Sequence, residues 1–565
     1  MPKDLDVILE DVGQFGKYQI ITYFIISLPM VFAIVSSHSF VFTSGDMTYR
    51  CQVPECEGNI TEASEENFIP SWLHRAVPFE EKAVGLMPSQ CYRYTPTTND
   101  SVINDNCPTQ AFSNYTKERC ENWVFKGEES SIAREWSLTC DENKWKLTLS
   151  GTLIYIGALL SKPLTGYISD RWGRKIALLG GLMMTCFSGI LRSFSINYTM
   201  FQICNIIEGI VGGGIYTSGF VMGLEIMGTK KRTLGGSIMS IYNPTGELIM
   251  GCISWYFQKW RRILRVIYVP AILFASYYWL LPESVRWLMA KGRMDDAQKI
   301  VEKAAKVNGV ELNENYFKSF QSLHSATDLT QKKKKKPQDK RNALVKIAQS
   351  KILLCRLLTC SFCWMSVAFV FAGMTLNSTS MAGNKYLNYI LTGLIEMPSP
   401  ILTYYGMNRF GRKITLCSSL LASGLCCFLF IGIPGDWIWL RIALYLFGKF
   451  NITISFDVLY IFAVELFPTE LRQTCLAACS VLGGMGQILA PQLPLLSNYM
   501  ESLPLILFGS MSVASGILAL LLPETQGTKL PDTVEEAENI SLKRRQIKQD
   551  ALAQVESEGL KNSTH

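Results

Sequence analysis

Four carboxylates stand inside apolar stretches of this chain: Glu208 in NIIEGIVGGG, Glu247 in YNPTGELIMG, Glu396 in LIEMPSP and Asp457 in KFNITISFDVLYIF. An ionised group at the centre of a bilayer costs roughly 2.5–3.5 kcal/mol on insertion scales. In a soluble core it would also need a partner. Each acid must therefore meet a proton, water, a basic side chain or a cationic ligand. Lys449, Thr453 and Asp457 recur every four residues and form one polar stripe on a helix. Lys449 and Asp457 lie about 12 Å apart along such an axis at about 1.5 Å per residue, too far to pair directly. Asp457 is thus the first candidate for contact with a cation or a proton. The plainer alternatives are a pair with a base from another segment, or a protonated carboxyl in a polar patch. Glu247 is a second candidate, because Pro244 and Gly246 loosen the helix around it. Glu208 lies beside a glycine run suited to close packing. Tyr216, Tyr242, Trp364 and Phe371 could offer ring faces to a cation, or serve as packing and interface belt.

The rest of the chain excludes several classes. It has only four His, and no metal-ligand cluster, nucleophile elbow or phosphate-binding loop is legible. No catalytic residue, metal site or cofactor is expected, and the chain does not read as an enzyme.

Long apolar runs fill most of the 565 residues, which are 48% hydrophobic with a mean hydropathy of +0.17. A membrane-spanning helix needs about 20 mostly apolar residues. Twelve such stretches occur, near 18–42, 146–168, 176–195, 200–224, 234–257, 262–281, 352–376, 386–407, 414–433, 437–463, 474–497 and 503–522. The first is too long for a cleaved signal, and acids rather than a basic cluster precede it.

Charge sets the orientation. The loop 43–145 holds 9 Lys/Arg against 17 Asp/Glu, and the loop 282–351 holds 16 against 8. Short basic turns occur at Arg171, Arg174 and Lys175, at Lys230 to Arg232, and at Arg409, Arg412 and Lys413. The positive-inside rule places these in the cytoplasm. The large loop then faces outside, and both termini are expected inside. The net charge of +7 follows from this asymmetry and does not point to nucleic acid. Six cysteines in the outer loop, Cys51, Cys56, Cys91, Cys107, Cys120 and Cys140, imply three disulfides of open pairing. Asn59, Asn99 and Asn114 head glycosylation sequons in the same loop.

The chain also repeats itself. GYISDRWGRK from Gly166 is echoed by GMNRFGRK from Gly406, so that Asp170 matches Asn408 at an offset of 238 residues. Glu225 and Arg232 match Glu465 and Arg472 at an offset of 240, and PESVRW matches PETQG at 241. Each match follows the same-numbered stretch of its half. Two six-helix halves joined by a basic linker are the reading. The expected boundaries are a segment 1–17, a first half 18–281, the linker 282–351, a second half 352–522 and a tail 523–565.

The loop at Gly166, Asp170, Arg171, Gly173, Arg174 and Lys175 resembles the signature loop of the major facilitator superfamily. DVILEDVGQFGKYQ, the Cys-bearing outer loop, GTKKRTLGG, PESVRWLMAKGR, LNSTSMAGNKYLNYILTGLIEMPS and AVELFPTELRQT together resemble its organic cation, anion and zwitterion transporters, with an insect-type organic cation transporter pattern. Sugar porters share DRWGRK, PESVRWL and PETQG but lack the six-Cys loop. The resemblance implies an all-α membrane protein with twelve transmembrane helices in two pseudo-symmetric halves, rocking about a midplane cavity. It implies that Glu396 is the usual acid of its helix. It also points to Gly484, in GGMGQILAPQ, as the place where relatives often carry a charge, basic for anions and acidic for cations. Neither charge is present here.

With Asp457 and Glu247 in the membrane, the balance favours an amine-bearing substrate. Lys449 and Lys385 leave room for a carboxylate as well. The reading is a plasma-membrane carrier of small organic ions working by alternating access, embedded in the bilayer and run by gradients. An organic anion carrier, a sugar porter-like carrier and a non-transporting receptor are the alternatives. Asp170, Arg171, Arg174, Glu225, Arg232, Arg409, Glu465 and Arg472 are the expected cytoplasmic gate, whose ion pairs would break when the inner side opens.

Overall fold

The computed structural model describes residues 12–13, 16–82, 85–97, 112–227, 232–310, 347, 349–497, 499–527, 531 and 533–540. Its frame is twelve helices. The first six are α1 (Lys17–Thr43), α2 (Asp141–Trp172), α3 (Arg174–Ser193), α4 (Tyr198–Ile226), α5 (Arg232–Ser240 and Tyr242–Phe257) and α6 (Trp260–Leu280). The second six are α7 (Lys351–Ser380), α8 (Lys385–Glu396 and Ser399–Arg409), α9 (Arg412–Gly432), α10 (Ile438–Leu466), α11 (Arg472–Leu496) and α12 (Leu503–Ala519). Among the described residues, nine are long and apolar enough to cross a membrane. The other three are α5 and α8, each in two pieces, and α12, which has 17 residues.

The breaks have local causes. A proline lacks the N–H of the helical ladder and crowds the preceding turn. Accordingly α5 breaks just ahead of Pro244, and α8 at Met397–Pro398. Helix starts carry side-chain caps: Asn197 accepts from Met200 N at 2.8 Å, Ser350 from Leu353 N at 3.1 Å and Asn384 from Tyr386 N at 2.9 Å.

Within the first half, α4 packs on α2 and α3; within the second, α7 packs on α11, and α9 on α10 and α12. The halves meet along two seams, α2 with α11 and α5 with α8. These seams exchange under the sequence repeat, which maps α2 to α8 and α5 to α11. At the α2–α4 crossing, a Cβ on Gly157 would lie 2.8 Å from the Gly209 Cα, so only glycine allows that approach.

The loop between α1 and α2 adds β structure to the helical frame. Its strands are β1 (Tyr49–Cys51), β2 (Glu62–Ala63), β3 (Phe79–Lys82), β4 (Gly85–Pro88), β5 (Tyr92–Pro96), β6 (Phe112–Arg119) and β7 (Trp123–Lys126). β1 pairs antiparallel and β2 parallel with β7, while β3–β4 and β5–β6 form separate pairs. Disulfides join Cys51 to Cys120 and Cys91 to Cys140. Cys56 is also disulfide-bonded, and Cys107 lies outside the described residues. Arg50 is buried inside this domain, held by Glu57 at 2.6 Å and the Phe68 carbonyl at 2.8 Å. So small a core depends on its cross-links, and losing one native disulfide costs about 2–5 kcal/mol. Cys51→Ser should therefore cut mature protein at the cell surface several-fold, read by surface biotinylation. Asn59 is exposed on this domain. Asn99 lies outside the described residues, as does the side chain of Asn114.

On the opposite side, helices Val285–Ala290 and Met294–Asn308 form a small apolar cluster. Asn308 ties it to the start of α1, accepting from Tyr18 N at 2.9 Å and donating to the Val12 carbonyl at 2.9 Å.

Candidate functional site

A cavity of about 340 Å³ lies between the halves, walled by residues of α1, α2, α4, α5, α7, α8, α10 and α11. Asp457, Tyr216 and Phe371 line it. The Asp457 carboxylate is half-buried and accepts from Ser399 Oγ at 3.5 Å. Among the described residues, no basic side chain is ion-paired with it. Phe371 and Phe456 set tilted rings 5.4 Å apart on the same wall.

Lys449 is fully buried behind that wall. Its ammonium has three donors and touches three oxygens: Glu396 Oε1 at 3.0 Å, the Phe371 carbonyl at 3.0 Å and Thr375 Oγ1 at 2.7 Å. It also sits 3.3 Å from the Phe371 ring centroid. Its charge is met by Glu396, and two of its donors are hydrogen-bonded within the protein. Glu247 lies behind the cavity, fully buried, with His38 Nε2 3.6 Å away. Tyr242, Trp364 and Gly484 do not line the cavity. Trp364 packs on Tyr460, and a Cβ at Gly484 would fall 2.8 Å from Leu159 Cδ1, filling the space a charged side chain would need. Lys385 stands at the end of the bundle nearest the disulfide-bonded domain, paired with Glu129.

Two cavity residues, His38 and Lys162, escape the sequence reading, and a third, Glu396, was read there as the usual acid of its helix. Glu396 lines the wall and holds Lys449; His38 ends the helical segment Lys17–His38 of α1; Lys162 projects from α2 and donates to Ser480 Oγ at 3.0 Å. His38 and Lys162 were legible as ionisable groups inside apolar stretches. Glu208 also lines the cavity, but Arg192 lies 3.4 Å from it and Tyr268 donates to it, so its charge is satisfied within the first half.

At the end facing the disulfide-bonded domain the halves are tied together. Glu129 takes Lys385 and, at 2.9 Å, the Tyr386 hydroxyl. Phe42 stacks on Tyr386 at 5.3 Å, and Gln492 of α11 bonds Thr148 and Thr152 of α2 at 3.1 and 2.6 Å.

The other end carries the repeated loops. Gly173 and Gly411 have φ of +114° and +95°, a region that favours glycine. Each begins a helix whose first N–H groups are capped by a remote carboxylate. Glu283 accepts from Arg174 N at 2.9 Å and Lys175 N at 3.1 Å; Glu524 accepts from Arg412 N and Lys413 N at 3.0 Å each. A negative group is favoured there by the helix dipole. Arg174 reaches Asp170 at 2.5 Å and Glu225 at 3.6 Å, and Arg412 reaches Glu465 at 3.0 Å.

The sequence reading sets Glu225 with Arg232 and Glu465 with Arg472 at matching helix ends, and the structure differs at Glu465. Glu465 meets Arg412 rather than Arg472, because the chain turns between the end of α10 and the start of α11, and Arg472 Nε donates to the Phe467 carbonyl instead. Glu225 meets Arg174; the Arg232 side chain lies outside the described residues. Arg171 rests on Trp172 and donates to the Tyr167 hydroxyl at 2.6 Å, and Arg409 is exposed. Every pair lies inside one half. A Cβ at Gly411 would fall 2.5 Å from Glu524 Oε2. Gly411→Ala adds to this clash the left-handed penalty, about 1–2 kcal/mol. It should lower the thermal midpoint of the solubilised protein by several degrees, measured by fluorescence-detected unfolding.

Two bundles of six membrane helices around a shared cavity, with matching capped loops on one face, define a carrier of the major facilitator class, not an enzyme. The family model described as "Sugar (and other) transporter" matches residues 95–536. The organic cation transporter protein of Drosophila melanogaster is 32% identical, covering 95% of each chain. Solute carrier family 22 member 3 of Mus musculus is 30% identical over 95% of this chain and 96% of its own. Organic cation/carnitine transporter 2 of Homo sapiens is 28% identical over 94% of each. In fold, the chain is similar to the inward open conformation of the xylose transporter XylE from E. coli, with a TM-score of 0.54 and 20% identity over 70% of this chain and 89% of that one. The chain belongs to the organic cation, anion and zwitterion transporter family of the major facilitator superfamily.

Proposed function

We propose that this carrier moves small organic cations across the plasma membrane by alternating access, with Asp457 as the counter-charge for the substrate amine. The observation that carries the reading is the charge pattern of the cavity. Lys449 is paired with Glu396 and hydrogen-bonded to the Phe371 carbonyl and Thr375, whereas Asp457 faces the cavity with no ion pair among the described residues and a long contact to Ser399. A protonated amine beside Asp457 relieves the cost of keeping that carboxylate out of bulk water. Tyr216 and Phe371 add ring faces to the same space. A cationic cargo also agrees with the organic cation transporters to which the chain is similar.

Lys162 favours a second reading. It lines the same cavity, so a zwitterion could set its amine on Asp457 and its carboxylate on Lys162. In both readings the disulfide-bonded domain faces outside, both termini face the cytoplasm, and the capped loops with Asp170, Arg174, Glu225 and Glu465 form the inner hinge.

The test is uptake of labelled cations, anions and zwitterions into vesicles at two membrane potentials. Saturable uptake of cations that rises with an inside-negative potential supports the proposal. Uptake confined to anions, or binding with no flux, overturns it. Lys162→Gln separates the two readings, since it should weaken zwitterion uptake about tenfold and leave simple cations nearly unchanged.

A further inference from the structure

The start of α6 is strongly basic, in the run KWRRILR from Lys259. This end adjoins the disulfide-bonded domain. Trp260 N donates to the Ser130 carbonyl at 3.0 Å, and the Trp260 indole N–H donates to Glu135 at 2.7 Å. Two of the basic residues are accounted for there. Lys259 stands 3.8 Å from Glu128; Arg261 pairs with Glu135 and donates to the Ser193 and Ser195 carbonyls at 2.7 and 2.6 Å. Arg262 and Arg265 are exposed, and among the described residues neither has a carboxylate partner.

Both lie within the apolar span Trp260–Leu280. At about 1.5 Å per residue they sit about 3 Å and about 7.5 Å beyond Trp260 along the axis. Helical side chains lean towards the N-terminus, so both guanidiniums reach back to the headgroup level. Trp255 and Tyr256 are exposed at the neighbouring end of α5, as aromatic residues at that level are. Arg265 rests on the ring of Phe194, at the end of α3, 4.8 Å from its centroid. That contact joins the outward faces of α3 and α6 into one strip. Further into the span the strip is apolar and uncovered, with Phe187 and Leu191 on α3 and Val269 and Leu273 on α6. At the far end Lys175 of α3 sits 4.8 Å from the Tyr278 ring of α6, so the two helices stay adjacent across the bilayer.

The fold does not need these arginines. The repeat offset of 241 residues carries Arg262 to Leu503 and Arg265 to Ile506, at the start of α12. The matched helix therefore begins with apolar residues where α6 begins with charge. An unpaired guanidinium inside a membrane span demands a counter-charge. An apolar strip headed by two such groups complements a molecule with acyl chains and a phosphate, which arginine binds through paired N–H groups.

We infer that Arg262 and Arg265 bind the phosphate of a phospholipid in the leaflet beside the disulfide-bonded domain, with its acyl chains on the α3–α6 strip. The bound lipid braces α3 against α6 from the membrane side, at the level where Arg261 already ties the two helices.

The experiment uses the full chain, purified in mild detergent and stripped of lipid. Dioleoyl phosphatidylglycerol and dioleoyl phosphatidylcholine should each raise its thermal midpoint by several degrees, because a ligand of the folded state stabilises it. Dioleoylglycerol, which has the same chains and no phosphate, should not, and neither should inorganic phosphate. Arg262→Gln combined with Arg265→Gln should raise the lipid concentration for half the shift about tenfold, and the paired Lys substitutions should restore most of the affinity. Native mass spectrometry reads the retained phospholipid directly and is run on the parent, so the result does not depend on a variant folding. Phospholipid held by the parent and lost from the Gln pair supports the inference. An equal shift with dioleoylglycerol, a shift with inorganic phosphate alone, or equal retention by parent and Gln pair overturns it. So does a parent that holds no phospholipid, or one whose arginines instead seat a second copy of the chain, seen as a dimer that the Gln pair dissociates.

Discussion

Asp457→Asn should lower the initial uptake of a quaternary ammonium cation at least tenfold while leaving surface delivery unchanged. The substitution keeps size and shape, and the amide can still bond Ser399, which now stands 3.5 Å from the carboxylate. Only the charge is lost. Unit charges about 4 Å apart interact by about 4 kcal/mol at an effective dielectric of about 20, and a third of that already changes affinity about tenfold. The loss should fall on cations and amines, and spare any uncharged compound the carrier accepts. Concentration-dependent uptake in cells matched for surface protein reads the effect. Equal uptake by parent and variant would remove Asp457 from the mechanism.

The frame was legible because it depends on local chemistry. Each long apolar run stops where glycine, proline or a basic turn interrupts it, and the offsets of 238 to 241 residues carry the pseudo-symmetry directly. Partner choice was not legible, because it depends on how helices are set against each other. The stripe of Lys449, Thr453 and Asp457 follows from helical spacing alone. That Lys449 is spent on Glu396 follows from α8 packing beside α10, which no spacing encodes. The capped loops show the same limit. The repeat marks Glu225, Glu465, Arg174 and Arg412 as matched positions, yet the pairing of Glu465 with Arg412 is fixed by the turn between α10 and α11. Glu283 and Glu524 sat inside the recognised PES and PET strings. Their role appears only when each carboxylate is seen on the first N–H groups of another helix.

Lys449→Met should be the most destabilising single change in the membrane core. The lysine is fully buried and is the cation that touches Glu396. Methionine fills the stem but leaves Glu396 buried without its ammonium, and strips a partner from the Phe371 carbonyl and Thr375 Oγ1. Removing one member of a buried pair typically costs about 3–5 kcal/mol, a large share of a total stability of about 5–15 kcal/mol. Most of the variant should therefore fail to appear as a monodisperse peak in detergent, and the remainder should unfold well below the parent. Adding Glu396→Gln removes the orphaned charge. The double variant should recover at least about 1.5 kcal/mol of the loss, within the usual range for coupled neighbours. A single variant as stable as the parent, or a double variant no better than the single, would show that the pair does not hold the two halves of this site in place. In that case Lys449 would be free to meet a carboxylate, and the preference for cations would have to rest on Asp457 alone.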